Sequence, residues 1–300
     1  MIYAVGLFVF ISIALPLAFV WRLWRLDVPI RLAWLIVAVE TAALVWLILL
    51  LGRWDIGGIW TRAALAGLAL IAAIVSGVRH AGRPWRVRGD APFWRSYGPM
   101  LASLVLIGGA VIYVTAWGMA RQDPRPFLFP LKDGSFIVAH GGGIGILNHH
   151  SHHPAQRHAL DITAVDAIGF RAFGLLPGDP ARYAIFGKVV VSPCTGVVSA
   201  VVDGLPDLPP PTADRGNPAG NHVVLACDGL LVELAHLRMD SVVVQAGQQV
   251  SAGALIGQVG NSGNSTEPHL HVHAVDARSG AAVQMSFDGA VPVRNALFER

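Results

Sequence analysis

The sequence predicts an α-helical membrane bundle in its first part and an all-β domain in its second part. Of the 300 residues, 54% are hydrophobic and only 14% are charged, and all nine Trp lie at or before Trp117. Eleven of the twelve His lie at or after His140, and both Lys are in the second part. We therefore expect residues 1–120 to be a four-span transmembrane region and residues 121–300 to be one β-rich domain.

Four apolar stretches are each long enough to cross a bilayer, which requires about 20 residues. They cover residues 2–21, 32–51, 59–78 and 99–120. Several tryptophans lie near the predicted span ends, as expected for the aromatic belts at the two membrane surfaces. These are Trp21, Trp24, Trp54, Trp60, Trp94 and Trp117.

The arginines predict the orientation of the spans. The first loop carries Arg22, Arg25 and Arg31, and the third loop carries Arg79, Arg83, Arg86, Arg88 and Arg95. Cytoplasmic loops are enriched in Lys and Arg, so we expect these two loops inside and both termini, with the β-rich domain, outside. Because the loop arginines account for the net charge of +3, that charge is no argument for a nucleic-acid partner.

Glu40 lies inside the second predicted span. Ionisable residues within a membrane are costly unless they are neutral or paired. We expect Glu40 to be protonated or paired with another helix and to help assemble the bundle.

The two cysteines, Cys194 and Cys227, both lie in the domain predicted to be exported. Their spacing does not fit a Cys-x-x-Cys metal site, and an oxidising compartment permits disulfides. A disulfide is therefore favoured over two buried thiols.

From residue 136 onwards, short runs rich in Val alternate with turn signals. The stretch "GKVVVSPCTGVVSAVVDG" predicts two strands, and "HVVLACDGLLVELAHL" predicts a hairpin with Asp228 and Gly229 at its turn. Prolines and glycines predict that residues 203–220 form a long loop. We expect an antiparallel sandwich or open barrel.

Histidines occur in three separate elements of this domain. His269, His271 and His273 alternate along a predicted strand, so their side chains should share one face. A histidine-rich tract covers residues 149–158, and His236 lies near the end of another strand. Catalytic zinc is typically held by three protein ligands and keeps a fourth position for water. The three elements together favour a zinc site over unrelated histidines.

These motifs resemble the lysostaphin-type, or LytM-type, zinc endopeptidases. The similar stretches are "QRHALDI", "GNHVVL", "LAHL", "QAGQQVSAGALIGQVGNSGNS" and "EPHLHVH", which together cover residues 148–276. The resemblance implies a β-rich, duplicated-hybrid-motif-like domain that binds one Zn²⁺. It assigns Asp161 and His271 as zinc ligands and His236 and His269 as catalytic histidines that do not bind the metal.

The common family motif does not assign the remaining zinc ligand, because Arg157 stands four residues before Asp161, where the family commonly has His. Relatives similar to "NYH…QRYALD" place the ligand further upstream. That alignment implies His150 as the ligand, with His153 as the next candidate. His158 stands where relatives often carry Tyr, and we expect it to pack beside the site.

Two other positions also depart from the family pattern. Glu267 replaces a common Gly, and His273 replaces a common acidic residue. His273 either orients a ligand or is a partly exposed residue without a role. We expect His222 to be a packing residue, and His80 and His140 to be ordinary surface or loop histidines.

The resemblance and the predicted spans together imply a membrane-anchored zinc endopeptidase acting on cell-wall peptidoglycan. Its partners would be a peptide substrate and the lipid bilayer, with the domain on the periplasmic side of a bacterial inner membrane. A second hypothesis is a non-catalytic relative that regulates other wall hydrolases. A third, a lipoyl-like binding module based on "VQAGQQVSAGALIG", lacks a Lys in that stretch and leaves the histidines unexplained.

Overall fold

The computed structural model describes residues 2–86 and 93–300, without the side chains of residues 93, 94 and 96. Arg88 and the side chain of Trp94, both used above, therefore lie outside the described residues. Apart from the first two residues, the chain divides into two compact units, Tyr3–Ala116 and Trp117–Arg300.

The first unit is helical. Its helices are α1 (Ile2–Arg25), α2 (Arg31–Leu51), the short α3 (Trp54–Gly57), α4 (Ile59–His80) and α5 (Phe93–Tyr113), which continues as a π-helix over Val114–Gly118. Four of the described helices are long and apolar enough to cross a membrane: Ile2–Arg25, Arg31–Leu51, Ile59–His80 and Tyr97–Gly118. The predicted set of four apolar helices is confirmed.

Helix α2 packs against α4 and α5, and an ion pair joins it to α1. Arg22 Nη2 lies 2.6 Å from Glu40 Oε2, and Glu40 is only 2% exposed. A buried carboxylate is tolerated when an opposite charge lies against it. The predicted pairing of Glu40 with another helix is therefore confirmed.

One prediction about this unit is wrong. His80 is buried rather than exposed, because its Nδ1 donates to the Ser76 carbonyl (2.7 Å) and its Nε2 accepts from the backbone N–H of Val28 (3.3 Å). Trp54 lies between α2 and α4, near the span ends as predicted from the sequence; it is buried, and its Nε1 donates to the Leu49 carbonyl at 3.1 Å.

The second unit is built from thirteen described strands. They are β1 (Arg125–Phe127), β2 (Ser135–His140), β3 (Leu160–Val165), β4 (Val189–Val191), β5 (Gly196–Val202), β6 (Asn221–Cys227), β7 (Leu230–Leu237), β8 (Gln249–Val250), β9 (Leu255–Gln258), β10 (Leu270–Asp276), β11 (Ala282–Val283), β12 (Met285–Phe287) and β13 (Leu297–Glu299).

Nine of these strands form one antiparallel sheet. Its order is β13-β2-β3-β10-β7-β6-β5-β8, and β11 pairs with β10. Strands β4 and β9 form an antiparallel pair, and β1 and β12 form a parallel one. The predicted fold class, four apolar helices followed by an antiparallel β domain, is confirmed.

The predicted hairpin is β6–β7. Asp228 and Gly229 connect the strands with φ values of 47° and 74°. A two-residue turn with both φ values positive matches the right-handed twist of the strands. The predicted disulfide is also present and joins Cys194 to Cys227 at the end of β6.

Strand β10 lies between β3 and β7 and alternates between two environments. Leu270, Val272 and Ala274 are at most 1% exposed and lie in the hydrophobic core. The intervening histidines, His271 and His273, therefore project from the opposite face. The core thus fixes the direction in which the histidines point.

The 203–220 loop contains no helix or strand, as predicted. It is nevertheless held against residues 260–265. Asp207 Oδ1 accepts from the backbone N–H of Asn261 (2.6 Å), and the Leu208 carbonyl accepts from Asn261 Nδ2 (2.6 Å). These hydrogen bonds fix the loop against the segment that precedes β10.

Candidate metal centre

The centre is built on the neighbouring strands β3 and β10. Their register pairs Asp161 with His271. Both side chains are nearly buried, and His271 Nδ1 lies 3.0 Å from Asp161 Oδ1. Two adjacent strands of a rigid sheet therefore supply two of the three predicted ligands.

The third predicted ligand comes from a short 3₁₀ helix, His149–His152. Buried Asn148 precedes this helix and fixes it, because its Nδ2 donates to the carbonyls of Gly142 (3.1 Å) and Ala159 (3.0 Å). Its Oδ1 also accepts from the backbone N–H of His150 (3.2 Å). His150 Nε2 consequently lies 3.0 Å from both carboxylate oxygens of Asp161.

His150, Asp161 and His271 form a group that could hold a metal ion, with their ligand atoms all within 4.8 Å of one another. Burial alone would raise the pKa of Asp161. The charge of nearby His269 and the hydrogen bonds to His150 and His271 outweigh that effect and hold this pKa well below its usual value. A buried, ionised carboxylate beside two imidazole nitrogens is a donor set suited to Zn²⁺.

His236 lies at the end of β7 and has a φ of +61°, which is uncommon for a residue other than glycine. Its Nδ1 lies 2.9 Å from the Ser262 carbonyl. A carbonyl can only accept, so Nδ1 carries the proton and Nε2 of the neutral ring does not. Burial and the charges of His269 and His271 lower the pKa of His236 well below its usual value, which favours this neutral form.

His269 also donates from Nδ1 to a backbone carbonyl. Its Nδ1 donates to the Glu267 carbonyl at 2.8 Å, while its Nε2 lies 3.5 Å from Asp161 Oδ1. The ring centroids of His269 and His236 are 4.7 Å apart. Two imidazoles that each donate Nδ1–H to a backbone carbonyl therefore lie together beside the three candidate ligands.

His273 lies behind His271, away from Asp161. His271 Nε2 is 3.1 Å from His273 Nδ1, and Glu233 Oε1 lies 3.9 Å from the same nitrogen. Burial and the charge of His271 lower the pKa of His273 to about 3, so the ring is neutral. A neutral ring at this distance can form a hydrogen bond with His271 Nε2, on the side of the His271 ring away from Asp161.

The other histidines lie around this group. His153 is exposed and is not part of the candidate set that contains His150. His158 is buried, as expected of a packing residue, and His222 Nδ1 donates to the Gly220 carbonyl at 2.8 Å.

His140 was not recognised from the sequence as a neighbour of the site. It pairs with Asp161 in the register of β2 and β3, and its ring centroid lies 4.5 Å from that of His149. His140, His149 and Asp161 form another group with metal-ligand spacing. His140 and Asp161 are 21 positions apart in the sequence, and no local motif signals that the strand register brings them together.

A sequence model of the family described as "Peptidase family M23" matches residues 183–285. The matched region is about a third of the chain and just over half of the β-rich domain. It contains His236, His269 and His271, and it begins after His150 and Asp161.

Solved structures similar to this chain include three peptidases. A putative peptidase M23 from Pseudomonas aeruginosa is 18% identical, covers 59% of this chain and 57% of its own, and has a TM-score of 0.31. The catalytic domain of lysostaphin from Staphylococcus simulans is 20% identical over 39% of this chain and 77% of its own, with a TM-score of 0.25. A zinc-containing peptidase from Vibrio cholerae is 22% identical over 42% of this chain and 48% of its own, with a TM-score of 0.27.

The present chain thus spans little more than half of the first of these proteins. The family match lies within the second unit. Residues 183–285 thus match peptidase family M23, in agreement with the resemblance of the sequence motifs to lysostaphin-type metallopeptidases.

Proposed function

We propose that this protein is a membrane-anchored zinc metalloendopeptidase that hydrolyses peptide bonds in cell-wall peptidoglycan. One observation carries the proposal. Ring nitrogens of His150 and His271 converge on the buried carboxylate of Asp161, and His236 and His269 lie beside this group. The family match supports peptidase chemistry for this arrangement.

One Zn²⁺ per domain would be held by His150 Nε2, Asp161 and His271 Nδ1. Bound zinc would lower the pKa of a water molecule towards about 7 and polarise the scissile carbonyl. Asp161 would offset part of the metal's charge, and with Nδ1 of His271 on the metal its Nε2–H would donate to His273 Nδ1.

His236 and His269 would move the protons. Each donates its Nδ1 proton to a backbone carbonyl, so each neutral ring can accept a proton at Nε2. One ring takes the proton of the attacking water, and the resulting cation can return it to the leaving amine. The other ring, when protonated, can donate to the oxygen that becomes negative during attack.

The location follows from the apolar helices and the arginines. The four helices would cross the inner membrane, and the arginine-rich first and third loops would face the cytoplasm. The peptidase domain would then face the periplasm, where peptidoglycan is the abundant peptide substrate.

The test uses the full-length protein in detergent, loaded with zinc and incubated with purified peptidoglycan. Mass spectrometry of the released fragments identifies any bond that is cut. We expect peptide-bond cleavage that a zinc chelator abolishes. A folded, zinc-loaded protein that releases nothing but stimulates another wall hydrolase would support the regulatory alternative instead.

A further inference from the structure

A buried ion pair lies next to His269 and takes no part in the chemistry described above. Arg171 belongs to the segment between β3 and β4, residues 166–188, and its side chain is 3% exposed. Its Nη2 donates to Glu267 Oε2, and the Glu267 side chain is 19% exposed. Burying a guanidinium is unfavourable unless a partner compensates its charge, and removing one partner of a buried pair leaves the other charge uncompensated.

The surroundings of Arg171 hold the guanidinium in one place. Its Nη2 also donates to the Leu175 carbonyl at 3.1 Å, and its Cζ lies 5.4 Å from the centroid of the Tyr183 ring. The Arg171 carbonyl accepts from the backbone N–H of Ala184 at 2.8 Å. Arg171 is therefore a fixed point against which the Glu267 side chain is held.

Glu267 in turn holds His269. The Glu267 carbonyl accepts the Nδ1 proton of His269 at 2.8 Å, and Ser265 Oγ lies 2.8 Å from the same carbonyl and 3.2 Å from that Nδ1. Pro268 separates the two residues, and its ring fixes φ near −65° while restricting Glu267 before it. Little freedom remains between the Glu267 carbonyl and the imidazole.

We propose that the Arg171–Glu267 ion pair is a positioning device that sets the orientation and tautomer of His269. The pair fixes residue 267, the carbonyl of residue 267 fixes the Nδ1 proton, and Nε2 of His269 is thereby aimed at the Asp161 side of the site. The catalytic consequence rests on the proposed function, whereas the effect on the ring does not.

The experiment compares zinc-loaded, full-length wild-type protein with Glu267→Gln, Arg171→Gln and the double variant, all in detergent. We expect kcat for peptidoglycan to fall about 10- to 100-fold, because small misplacements of a reacting group have effects of this size. KM and zinc content should stay unchanged. The double variant should be no slower than the slower single variant, since both remove one device. If Arg171→Gln does not fold, Arg171→Lys takes its place in the comparison, because Lys keeps the charge but not the guanidinium geometry.

Arg182→Gln is the matched control. Arg182 lies in the same segment, is exposed, and its Cζ lies 5.0 Å from the centroid of the Phe173 ring. We expect its kcat to equal that of the wild type. An equal loss in Arg182→Gln, or a rise in KM with kcat unchanged in Glu267→Gln, would overturn the proposal.

A second readout does not need activity. Long-range ¹H–¹⁵N spectra of the metal-free protein with ¹⁵N-labelled histidine report the tautomer of His269, assigned with His269→Gln. We expect the Nδ1–H form in the wild type and a mixture of tautomers in Glu267→Gln. An unchanged His269 signal overturns the proposal. If the wild type hydrolyses nothing, the proposed function fails and this spectrum alone decides the positioning role.

Discussion

At the residue scale, the histidines of the site differ in what their ring nitrogens face, so their replacements should differ in effect. His150 and His271 present nitrogens to Asp161, whereas His269 commits Nδ1 to a backbone carbonyl. We expect His150→Ala and His271→Ala to lose stoichiometric zinc. His269→Ala should keep zinc and lose hydrolysis by about 10²- to 10⁴-fold, the usual contribution of a general acid or base.

The measurement is zinc content by mass spectrometry, paired with the rate of peptide release. His153→Ala is the matched control, because it removes an exposed histidine from the same tract and should keep both zinc and activity. Loss of zinc in His153→Ala with retention in His150→Ala would reverse the assignment of the first ligand.

Buried histidines also predict how the stability of the metal-free domain depends on pH. Burial and Arg157 lower the pKa of His158, and burial lowers that of His236. The unfolded chain therefore binds these protons at a higher pH than the folded domain does. The free energy of unfolding should fall as the pH drops below about 6.5, by at most about 1.4 kcal/mol per pH unit for each histidine.

Urea denaturation of residues 117–300 between pH 7 and pH 5 measures this slope. His158→Phe removes one titrating group while keeping a buried ring, so its slope should be shallower. A slope identical to that of the wild type would show that His158 does not contribute.

At the element scale, close backbone packing connects the 203–220 loop to His236. Gly220 has a φ of +59°, and a Cβ there would lie 2.5 Å from the backbone carbon and oxygen of Ser262. The same Ser262 carbonyl accepts the Nδ1 proton of His236. We expect Gly220→Ala to displace this carbonyl and to reduce hydrolysis about 10- to 100-fold with zinc retained.

Gly229→Ala is the control, because Gly229 also has a positive φ (74°) but nothing within 4 Å of an added Cβ. It should lose about 1 kcal/mol of stability and keep its activity. The measurement is the rate of peptide release by the two variants. Full activity in Gly220→Ala would mean that His236 does not depend on this contact.

Local patterns in the sequence were sufficient to predict most elements. Alternation of core and histidine positions in β10, and the Asp228–Gly229 pair, depend on neighbours along the chain. Contacts between distant segments were not predictable in this way. The partner of Glu40 is Arg22, eighteen residues away, and His140 reaches Asp161 only through strand register. The Arg171–Glu267 pair joins residues 96 positions apart.

At the scale of the whole molecule, the arginine distribution predicts the orientation. A phosphatase reporter that is active only outside the cytoplasm should be active when fused after residue 300 and inactive when fused within residues 26–30. A reporter active only in the cytoplasm should give the reverse pattern. Phosphatase activity from residues 26–30 alone would place the peptidase domain in the cytoplasm and remove peptidoglycan as its substrate.

The central claim is that the cluster of His150, Asp161 and His271 binds one zinc ion that peptide hydrolysis requires. The most direct measurement titrates zinc into chelator-stripped, full-length protein and follows the rate of peptide release from peptidoglycan. We expect no release without metal and a rate that rises in proportion to bound zinc until one ion per chain is reached. Undiminished hydrolysis by the stripped protein, or none when one zinc is bound to the folded chain, would contradict the claim.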